Sequence, residues 1–360
     1  MAVSITAAVA VAQRPGGGAM AEHYAQFVGI DVAAATVTVS VWQADGTAGT
    51  PFTVAQDAAG YAQLEAHLAQ TAVAAAATLV VLEATGSYWL RLATHLVGQG
   101  YAVSVLNPAQ AHHFARTLLR RDKHDAADAC LLAQLAATLQ PAVWTPPPAV
   151  YEELRQRLVQ RDSLVGLRQQ VRNQRHALQQ QPLVVAAVQQ RMEALLATLD
   201  EQIQQIEREV HRVLQQDSAW AQAAARLQSI PGVGLLTSGW LLVTTLAFSA
   251  CETPEAATAY AGLAPRARQS GTSVRGRARI GHSGNRRLRT APYLATLSAT
   301  RFNPVIRTLY ERLKAAGKPE KVARCAAARK LLHLAWAVVT KEQDFDPDYG
   351  QPAPVAASGA

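Results

Sequence analysis

The chain has 360 residues, and its 34 Lys and Arg against 26 Asp and Glu give a formal net charge of +8. This length indicates two or three domains, and a pI of about 9.6 indicates an acidic partner, either nucleic acid or an anionic membrane. No apolar run reaches the roughly 18 residues that a membrane span needs, which argues against a membrane-spanning protein. Three widely spaced cysteines predict buried thiols in a reducing compartment rather than disulfides or zinc ligands: Cys130, Cys251 and Cys325.

Both ends of the chain are predicted to be disordered tails. Residues 1–25 contain an apolar patch, but no basic residue precedes it as a signal peptide requires, and a Gly-rich run follows. Residues 341–360 are rich in Pro and Ala. Neither segment is therefore expected to contribute to a folded domain.

Residues 26–142 are predicted to form an α/β domain with a mixed sheet. Gln26–Val32 and Thr36–Trp42 have the composition of strands, and the apolar run Thr78–Leu82 is typical of a central strand. Three strands in succession are followed by helices and strands in alternation. That order indicates antiparallel pairing early in the domain and parallel pairing later.

Four carboxylates stand at distinctive places in this domain. Asp31 lies within the first apolar strand and Glu83 ends the central one, while Asp125 and Asp128 have the spacing that puts both on one helix face. A carboxylate in an apolar strand is costly unless it is paired or bound to a metal. If the helix packs beside the strands, the four acids converge and need divalent cations such as Mg²⁺. Their order matches the ligand order of an RNase H-like fold.

Other roles remain open for single members of this set. Asp125 could cap its helix and Glu83 could be an exposed residue at a strand end. Asp122 competes for the helix position, although Asp125 and Asp128 carry the helical spacing into the apolar face that follows.

Residues 143–216 are predicted to be a linker followed by two long helices. Consecutive prolines mark the linker, and Tyr151–Gln180 is rich in Arg and Gln. Apolar residues then recur at alternating steps of four and three, which predicts a coiled-coil seam: Met192, Leu196, Leu199, Ile203, Ile206, Val210 and Val213. The two helices could fold back on each other or pair with another chain, and the first could also lie along nucleic acid.

Residues 217–340 are predicted to form a mostly α-helical domain with two phosphate-binding features. The turn IPGVG resembles a helix-hairpin-helix turn, in which backbone N–H groups at Gly232 and Gly234 would hold a phosphate. A Gly-punctuated loop from Ala264 to Arg289 then holds eight arginines and no acid. Seven of its arginines are candidate phosphate ligands: Arg266, Arg268, Arg275, Arg277, Arg279, Arg286 and Arg287.

Five motifs together give the chain a resemblance to a known family. They are GIDV at Gly29–Val32, LEATGSYW at Leu82–Trp89, KHDAADA at Lys123–Ala129, IPGVG at Ile230–Gly234, and the long basic motif at Tyr260–Arg289. Over roughly residues 27–339 the chain resembles the insertion-sequence transposases of the IS110 type, which are RNA-guided DNA recombinases.

The resemblance implies a RuvC-like first domain in which Asp31, Glu83, Asp125 and Asp128 bind Mg²⁺. It implies a helical transposase domain with a nucleophilic serine, for which Ser270 before Gly271 fits best and Ser273 is second. The implied partners are donor DNA, target DNA and a structured guide (bridge) RNA, and the implied assembly is a homodimer that pairs into a tetramer. Such a protein acts in the cytoplasm, at the nucleoid, and not on a membrane.

A serine hydroxyl is a poor nucleophile near neutral pH, and His282 is the only imidazole near Ser270 in the sequence. A metal held by the four carboxylates could activate the hydroxyl, while arginines hold the scissile phosphate. Because the two motif sets lie in different predicted domains, we expect a composite site.

Two other functions remain compatible with the sequence. One is a metal-only nuclease or resolvase in which water attacks, and the other is a non-catalytic protein that binds nucleic acid. The first predicts cleavage without a covalent adduct, and the second predicts salt-sensitive binding without strand transfer.

Overall fold

The computed structural model describes residues 24–84, 86–119, 124–270, 274–280 and 284–348, and for residues 266–270 and 274–279 it describes the backbone alone. The chain divides into two compact units between Pro147 and Pro148. This boundary falls within three consecutive prolines, where a helix cannot continue. The first unit is a helix-covered sheet, and the second is mostly helical.

The first unit contains these elements in chain order: β1 (Gln26–Val32), β2 (Thr36–Gln43), β3 (Phe52–Ala55), α1 (Ala58–Ala69), a 3-10 turn (Ala75–Ala77), β4 (Thr78–Glu83), α2 (Trp89–Gly98), β5 (Ala102–Leu106), α3 (Pro108–Thr117) and α4 (Asp125–Leu139). The five strands form one sheet in the order β3-β2-β1-β4-β5. Strands β1, β2 and β3 pair antiparallel, whereas β4 pairs parallel to both β1 and β5. The predicted α/β class and mixed sheet are therefore confirmed.

The sheet has a separate apolar core on each face, because successive strand residues point to opposite sides. Helices α1 and α2 cover the face that carries Val28, Ile30 and Leu82. Helices α3 and α4 cover the opposite face, which carries Phe27 and Val81. Burial on both faces explains why the central strand is a continuous apolar run.

The second unit contains these elements: α5 (Ala149–Gln179), α6 (Ala186–Gln216), α7 (Ser218–Gln228), α8 (Leu235–Thr245), α9 (Pro254–Tyr260), β6 (Pro265–Ser270), β7 (Val274–Ile280), α10 (Arg286–Phe302), α11 (Pro304–Ala315) and α12 (Glu320–Thr340). Leu331, Leu332, Ala335 and Val338 of α12 are buried in the core of this unit, whereas Leu334 is half-buried. Helix α11 begins at a proline.

Helices α5 and α6 fold back on each other as an antiparallel pair. Their cross-helix ion pairs run in opposite directions along the two sequences: Arg157–Glu209 at 3.3 Å, Arg161–Glu207 at 2.8 Å and Arg168–Asp200 at 2.6 Å. Six of the seven predicted seam residues are buried, and Met192 packs against the cluster of Val171, Leu196 and Leu199. Supercoiling of this pair stays a prediction.

The arginine-rich stretch contains a β-hairpin, where the sequence predicted a loop. Strands β6 and β7 pair antiparallel from Pro265 opposite Ile280 to Ser270 opposite Val274, with an irregular register between Arg266 and Arg268. We call residues 265–280 the arm. Backbone hydrogen bonds hold such a ladder together, so it can form without the apolar alternation by which strands are recognised.

The chain remains ordered past the end of α12, which differs from the predicted tail at residues 341–348. The amide of Phe345 donates a hydrogen bond to Ser229 Oγ at 2.8 Å, and Glu342 pairs with Arg226 at 3.6 Å. The final segment therefore docks beside the end of α7.

The three cysteines are free, with Cys251 buried and Cys130 and Cys325 half-buried. Burial raises the pKa of the Cys251 thiol to about 11, so this thiol is unreactive. Within the described ranges, no helix combines the length and the hydropathy that crossing a membrane requires.

Candidate functional site

Helix α4 lies directly on strand β1 at Gly29. A Cβ added at Gly29 would sit 2.1 Å from both the carbonyl oxygen of Ala129 and the amide nitrogen of Ala133. Only a residue without a side chain allows this backbone-to-backbone contact. The contact places the first turns of α4, which contain Asp125 and Asp128, beside the carboxyl end of β1.

Asp31 and Glu83 lie on the sheet face that α4 covers. Asp31 follows Gly29 by two residues, and Glu83 follows the buried Val81 by two, so strand alternation points all of them to the same side. Strands β1 and β4 are parallel neighbours with Ile30 opposite Leu82. The two acids therefore lie at the carboxyl ends of adjacent strands, beside the first turn of α4.

The electrostatics of Asp31 show that the four carboxylates are neighbours. Partial burial and, in decreasing order, the negative charges of Asp125, Asp128 and Glu83 together raise the pKa of Asp31 to about 6. A backbone hydrogen bond at Val32 acts in the opposite direction. The acids thus repel one another when all are ionised.

The chemistry of this donor set fits a divalent cation. Carboxylate oxygens are the hard ligands that Mg²⁺ prefers, and a bound cation would relieve the repulsion felt by Asp31. Across the described part of the chain, however, no three His, Cys, Asp or Glu side chains already converge at ligand distance. Binding would therefore require these side chains to rotate toward a common point.

The N-terminus of α4 is capped by His124, not by Asp125. The Nδ1 atom of His124 accepts a hydrogen bond from the Ala127 amide at 3.2 Å. Asp125 is the first residue of the helix and is free of that role. The competing candidate, Asp122, lies outside the described residues.

Ser270 is the last residue of strand β6, at the tip of the arm. Its backbone pairs with Val274, but its side chain is not described, and the same holds for the five arginines predicted to bind phosphate on the two strands. The alternative nucleophile Ser273 and the nearby His282 lie outside the described residues. The structure therefore gives the backbone position of the predicted nucleophile, but not the direction of its side chain.

The base of the arm, by which we mean residues 284–289 beyond its second strand, is fixed to helix α9 by contacts that the sequence did not predict. The amide of Asn285 donates to the Tyr260 carbonyl at 2.7 Å, and its Nδ2 donates to the Tyr260 hydroxyl at 3.1 Å. Gly284, at a φ of +105°, leaves room for only a hydrogen, since a Cβ would sit 2.6 Å from the Tyr260 carbonyl oxygen. Burial raises the pKa of Tyr260 above its ordinary value.

Arg286 and Arg287 differ in their surroundings at the start of α10. Arg286 is exposed, and its role as a phosphate ligand stays a prediction. Arg287 forms a short ion pair with Asp162 of α5, and its guanidinium carbon lies 4.8 Å from the ring centroid of Trp240. We therefore leave Arg287 out of the proposed phosphate-binding set.

The two glycines of the IPGVG turn also differ. Gly232 has a φ of +100°, and a Cβ there would meet three atoms of Ala299 at 2.6 to 2.7 Å. Gly234 is exposed and precedes α8, and a Cβ added there would have no atom within 4 Å. Packing against α10 accounts for Gly232, whereas Gly234 has open space where a phosphate would approach the helix N-terminus.

Two family models match most of the chain. A model of the IS110 DEDD transposase domain, described as "Transposase", matches residues 28–182. A second, described as "Transposase IS116/IS110/IS902 family", matches residues 224–311. The first match contains all four carboxylates, and the second contains the IPGVG turn and the arm.

Comparison with individual proteins points to the same family as these two models. A pilin gene-inverting protein of Moraxella lacunata is 29% identical over 326 residues, which cover 89% of this chain and 97% of the relative. The pilin gene-inverting protein of Moraxella bovis is 30% identical over 268 residues, or 74% of this chain and 81% of the relative. An IS110 insertion-element protein of Streptomyces coelicolor is 36% identical over 113 residues, or 31% of this chain and 28% of the relative. The chain therefore belongs to the IS110 family of transposases.

Proposed function

We propose that this transposase cuts and rejoins DNA through a covalent phosphoserine intermediate, with a divalent metal at a RuvC-like site and a structured RNA as guide. The observation that supports this most strongly is the grouping of Asp31, Glu83 and the first turns of α4 at one sheet edge. Mutually repelling carboxylates are costly to a module that only binds nucleic acid, whereas a metal-dependent enzyme needs them.

In the proposed site, the four carboxylates hold Mg²⁺, the ion that suits hard oxygen donors. When bound, the ion supplies positive charge beside a phosphate oxygen and lowers the pKa of a nearby hydroxyl. Asp31 and Glu83 are fixed by the sheet, while Asp125 and Asp128 are fixed by the contact of α4 with Gly29. The helix N-terminus favours the two charges on α4.

The arm supplies the proposed nucleophile. The Ser270 oxygen forms a bond to the phosphorus of the scissile phosphate, the hydroxyl loses its proton, and the bond from phosphorus to the departing deoxyribose oxygen breaks. That oxygen takes up a proton and later reverses the reaction when strands are rejoined. Arginines of the basic stretch hold the phosphate and offset the charge that grows on its oxygens.

DNA and RNA are the proposed partners because the stretch from Ala256 to Tyr310 contains ten arginines and no acid. The names of two relatives say that they invert a pilin gene, and such an inversion rearranges DNA. The proposed assembly is a homodimer that pairs into a tetramer. The structured RNA of the element would specify the donor and target sequences by base pairing.

A denaturant-resistant adduct assay tests the serine. The full chain is incubated with Mg²⁺, its flanking DNA and the RNA transcribed from the element, and adducts are separated on denaturing gels. Ser270→Ala should abolish the adduct, whereas Ser249→Ala, which removes an exposed hydroxyl elsewhere, should retain it. An adduct in Ser270→Ala that disappears in Ser273→Ala moves the role to Ser273.

The same assay tests the carboxylates and the RNA. Asp31→Asn should lose cleavage and adduct together, while Asp45→Asn, on an exposed turn, should behave as the wild type. Ribonuclease treatment before DNA is added should abolish site-specific joining. Cleavage without any adduct would instead support the metal-only nuclease, with water as the nucleophile.

A further inference from the structure

The arm that carries Ser270 is joined at its base to the long helix α5 by a chain of charges. Asp162 of α5 pairs with Arg287, which belongs to the base of the arm and lies two residues after Asn285, the residue that bonds to Tyr260. Asp162 also pairs with Arg161 at 3.4 Å, and Arg161 pairs with Glu207 of α6 at 2.8 Å. The first turn of α10 is thereby connected to both helices of the α5–α6 pair.

The ion pair between Asp162 and Arg287 is partly shielded from solvent. The side chains of Asp162 and Arg287 are only 18% and 31% exposed. The guanidinium of Arg287 also lies over the ring of Trp240, a buried residue of α8, which adds a cation–π contact. Arg287 thus contacts two helices, α5 through Asp162 and α8 through Trp240.

The length of the arm makes the orientation of its base important. The six residues from Pro265 to Ser270 extend about 17 Å at the usual strand rise, so a tilt of about 10° at the base moves Ser270 by about 3 Å. A displacement of about 1 Å of a reacting group can reduce a rate by about 100-fold. Contacts at the base therefore have a large effect on where the serine is presented.

We propose that Asp162 is a positioning residue that orients, through Arg287, the arm that presents Ser270. This inference deepens the proposed function and rests on it, because it assumes that the arm carries the reacting group. In this proposal Asp162 acts through Arg287 and is not one of the four carboxylates assigned to the metal. Replacing it should slow joining while leaving the affinity for DNA unchanged, since the arginines proposed to hold phosphate remain.

Recombination kinetics of the full chain with guide RNA and DNA provide the test. Asp162→Asn and Arg287→Gln should each lower the rate constant for recombinant product at saturating DNA by tenfold or more, with the dissociation constant for DNA within twofold. The double variant should be no slower than either single variant, because both remove the same contact. Asp200→Asn, which removes the Arg168 ion pair farther along the same helices, is the matched control and should retain the wild-type rate.

Amide hydrogen exchange gives a readout that does not need activity. Exchange should be faster in the arm and at residues 284–289 of Asp162→Asn, while α6 near Asp200 stays protected. If Asp162→Asn does not fold, Arg287→Gln is judged by the same criteria.

Any of three results would overturn the proposal. Asp162→Asn and Arg287→Gln could react as fast as Asp200→Asn, the rate losses of the two single variants could multiply in the double variant, or amide exchange in the arm could be unchanged. The rate of product formation can be measured whichever group attacks DNA. The adduct assay with Ser270→Ala therefore tests the serine assignment independently of the role of Asp162, and an adduct that persists in this variant refutes that assignment alone.

Discussion

Gly29 and Ala129 touch through backbone atoms alone, and this contact sets the distance between strand β1 and helix α4. The geometry of the carboxylate group depends on it, because Asp31 is two residues from Gly29 and α4 begins at Asp125. The glycine of the GIDV motif is therefore a packing requirement of the site.

Gly29→Ala should destabilise the fold severely. A methyl group 2.1 Å from two backbone atoms cannot be accommodated by rotating a side chain, so α4 must move. We expect a loss of more than about 3 kcal/mol in the free energy of unfolding, measured by urea denaturation. Gly98→Ala, at a helical position with no atom near the added methyl, should be neutral or stabilising by up to about 1 kcal/mol. Equal stability of the two variants would contradict the packing argument.

Asp31→Asn should stabilise the metal-free protein. The folded pKa of Asp31, about 6, lies above the ordinary value of 3.8, so its ionisation destabilises the fold progressively as pH rises between these values. Asparagine removes this penalty, which we put at about 1 to 2 kcal/mol after allowing for partial exposure. Thermal unfolding in a chelator should show the gain at about pH 7.5 and little of it at about pH 4.

Asp45→Asn provides a control of opposite sign. A backbone hydrogen bond from Thr47 lowers the pKa of Asp45, so its replacement should be neutral or slightly destabilising at neutral pH. A destabilised Asp31→Asn at neutral pH would show that the repulsion is already compensated within the protein.

Added Mg²⁺ should raise the unfolding temperature of the wild type. A ligand that binds only the folded state at about 100 times its dissociation constant contributes about 2.7 kcal/mol. Asp128→Asn removes one of the four donors and should weaken the response, and EDTA should reverse it. Differential scanning fluorimetry across a Mg²⁺ titration measures both. An identical response in the wild type and in Asp128→Asn would place the ion elsewhere.

The two glycines of the IPGVG turn should respond differently to alanine. Gly232→Ala meets Ala299 and a left-handed φ, so it should lower the free energy of unfolding by more than about 3 kcal/mol. Gly234→Ala should fold with nearly wild-type stability, because the added methyl meets open space. Any loss of DNA affinity in Gly234→Ala, measured by fluorescence anisotropy, can then be assigned to the phosphate-binding role. Unchanged affinity would remove this turn from the DNA-binding surface.

The order of strands and helices in the first unit was predictable because burial on both faces leaves long apolar runs such as Thr78–Leu82. The helix that carries Asp125 and Asp128 was also predictable from spacing. The role of Gly29 could have been found, since a glycine within an apolar strand signals a close backbone approach. The two residues of α4 whose backbones lie against it, Ala129 and Ala133, are four apart and so lie on one face of the helix.

The arm and its base could not be predicted in the same way. Arginine-rich strands lack the alternation of apolar and polar residues that marks a half-buried strand, so the segment looks like a loop. Asp162 and Arg287 are 125 residues apart, and no local pattern links two such distant residues. Tertiary packing alone brings them together, and only the folded chain reveals it.

The docking of Phe345 beside Ser229 has a practical consequence for handling this protein. Purification tags and fluorescent fusions attached directly after Thr340 would replace residues that hydrogen-bond to the end of α7. They would remove a contact at the end of the helix that leads into the IPGVG turn and uncover Val338, which the final segment adjoins. Labels for single-molecule work should be attached beyond Asp348, where they leave these contacts intact.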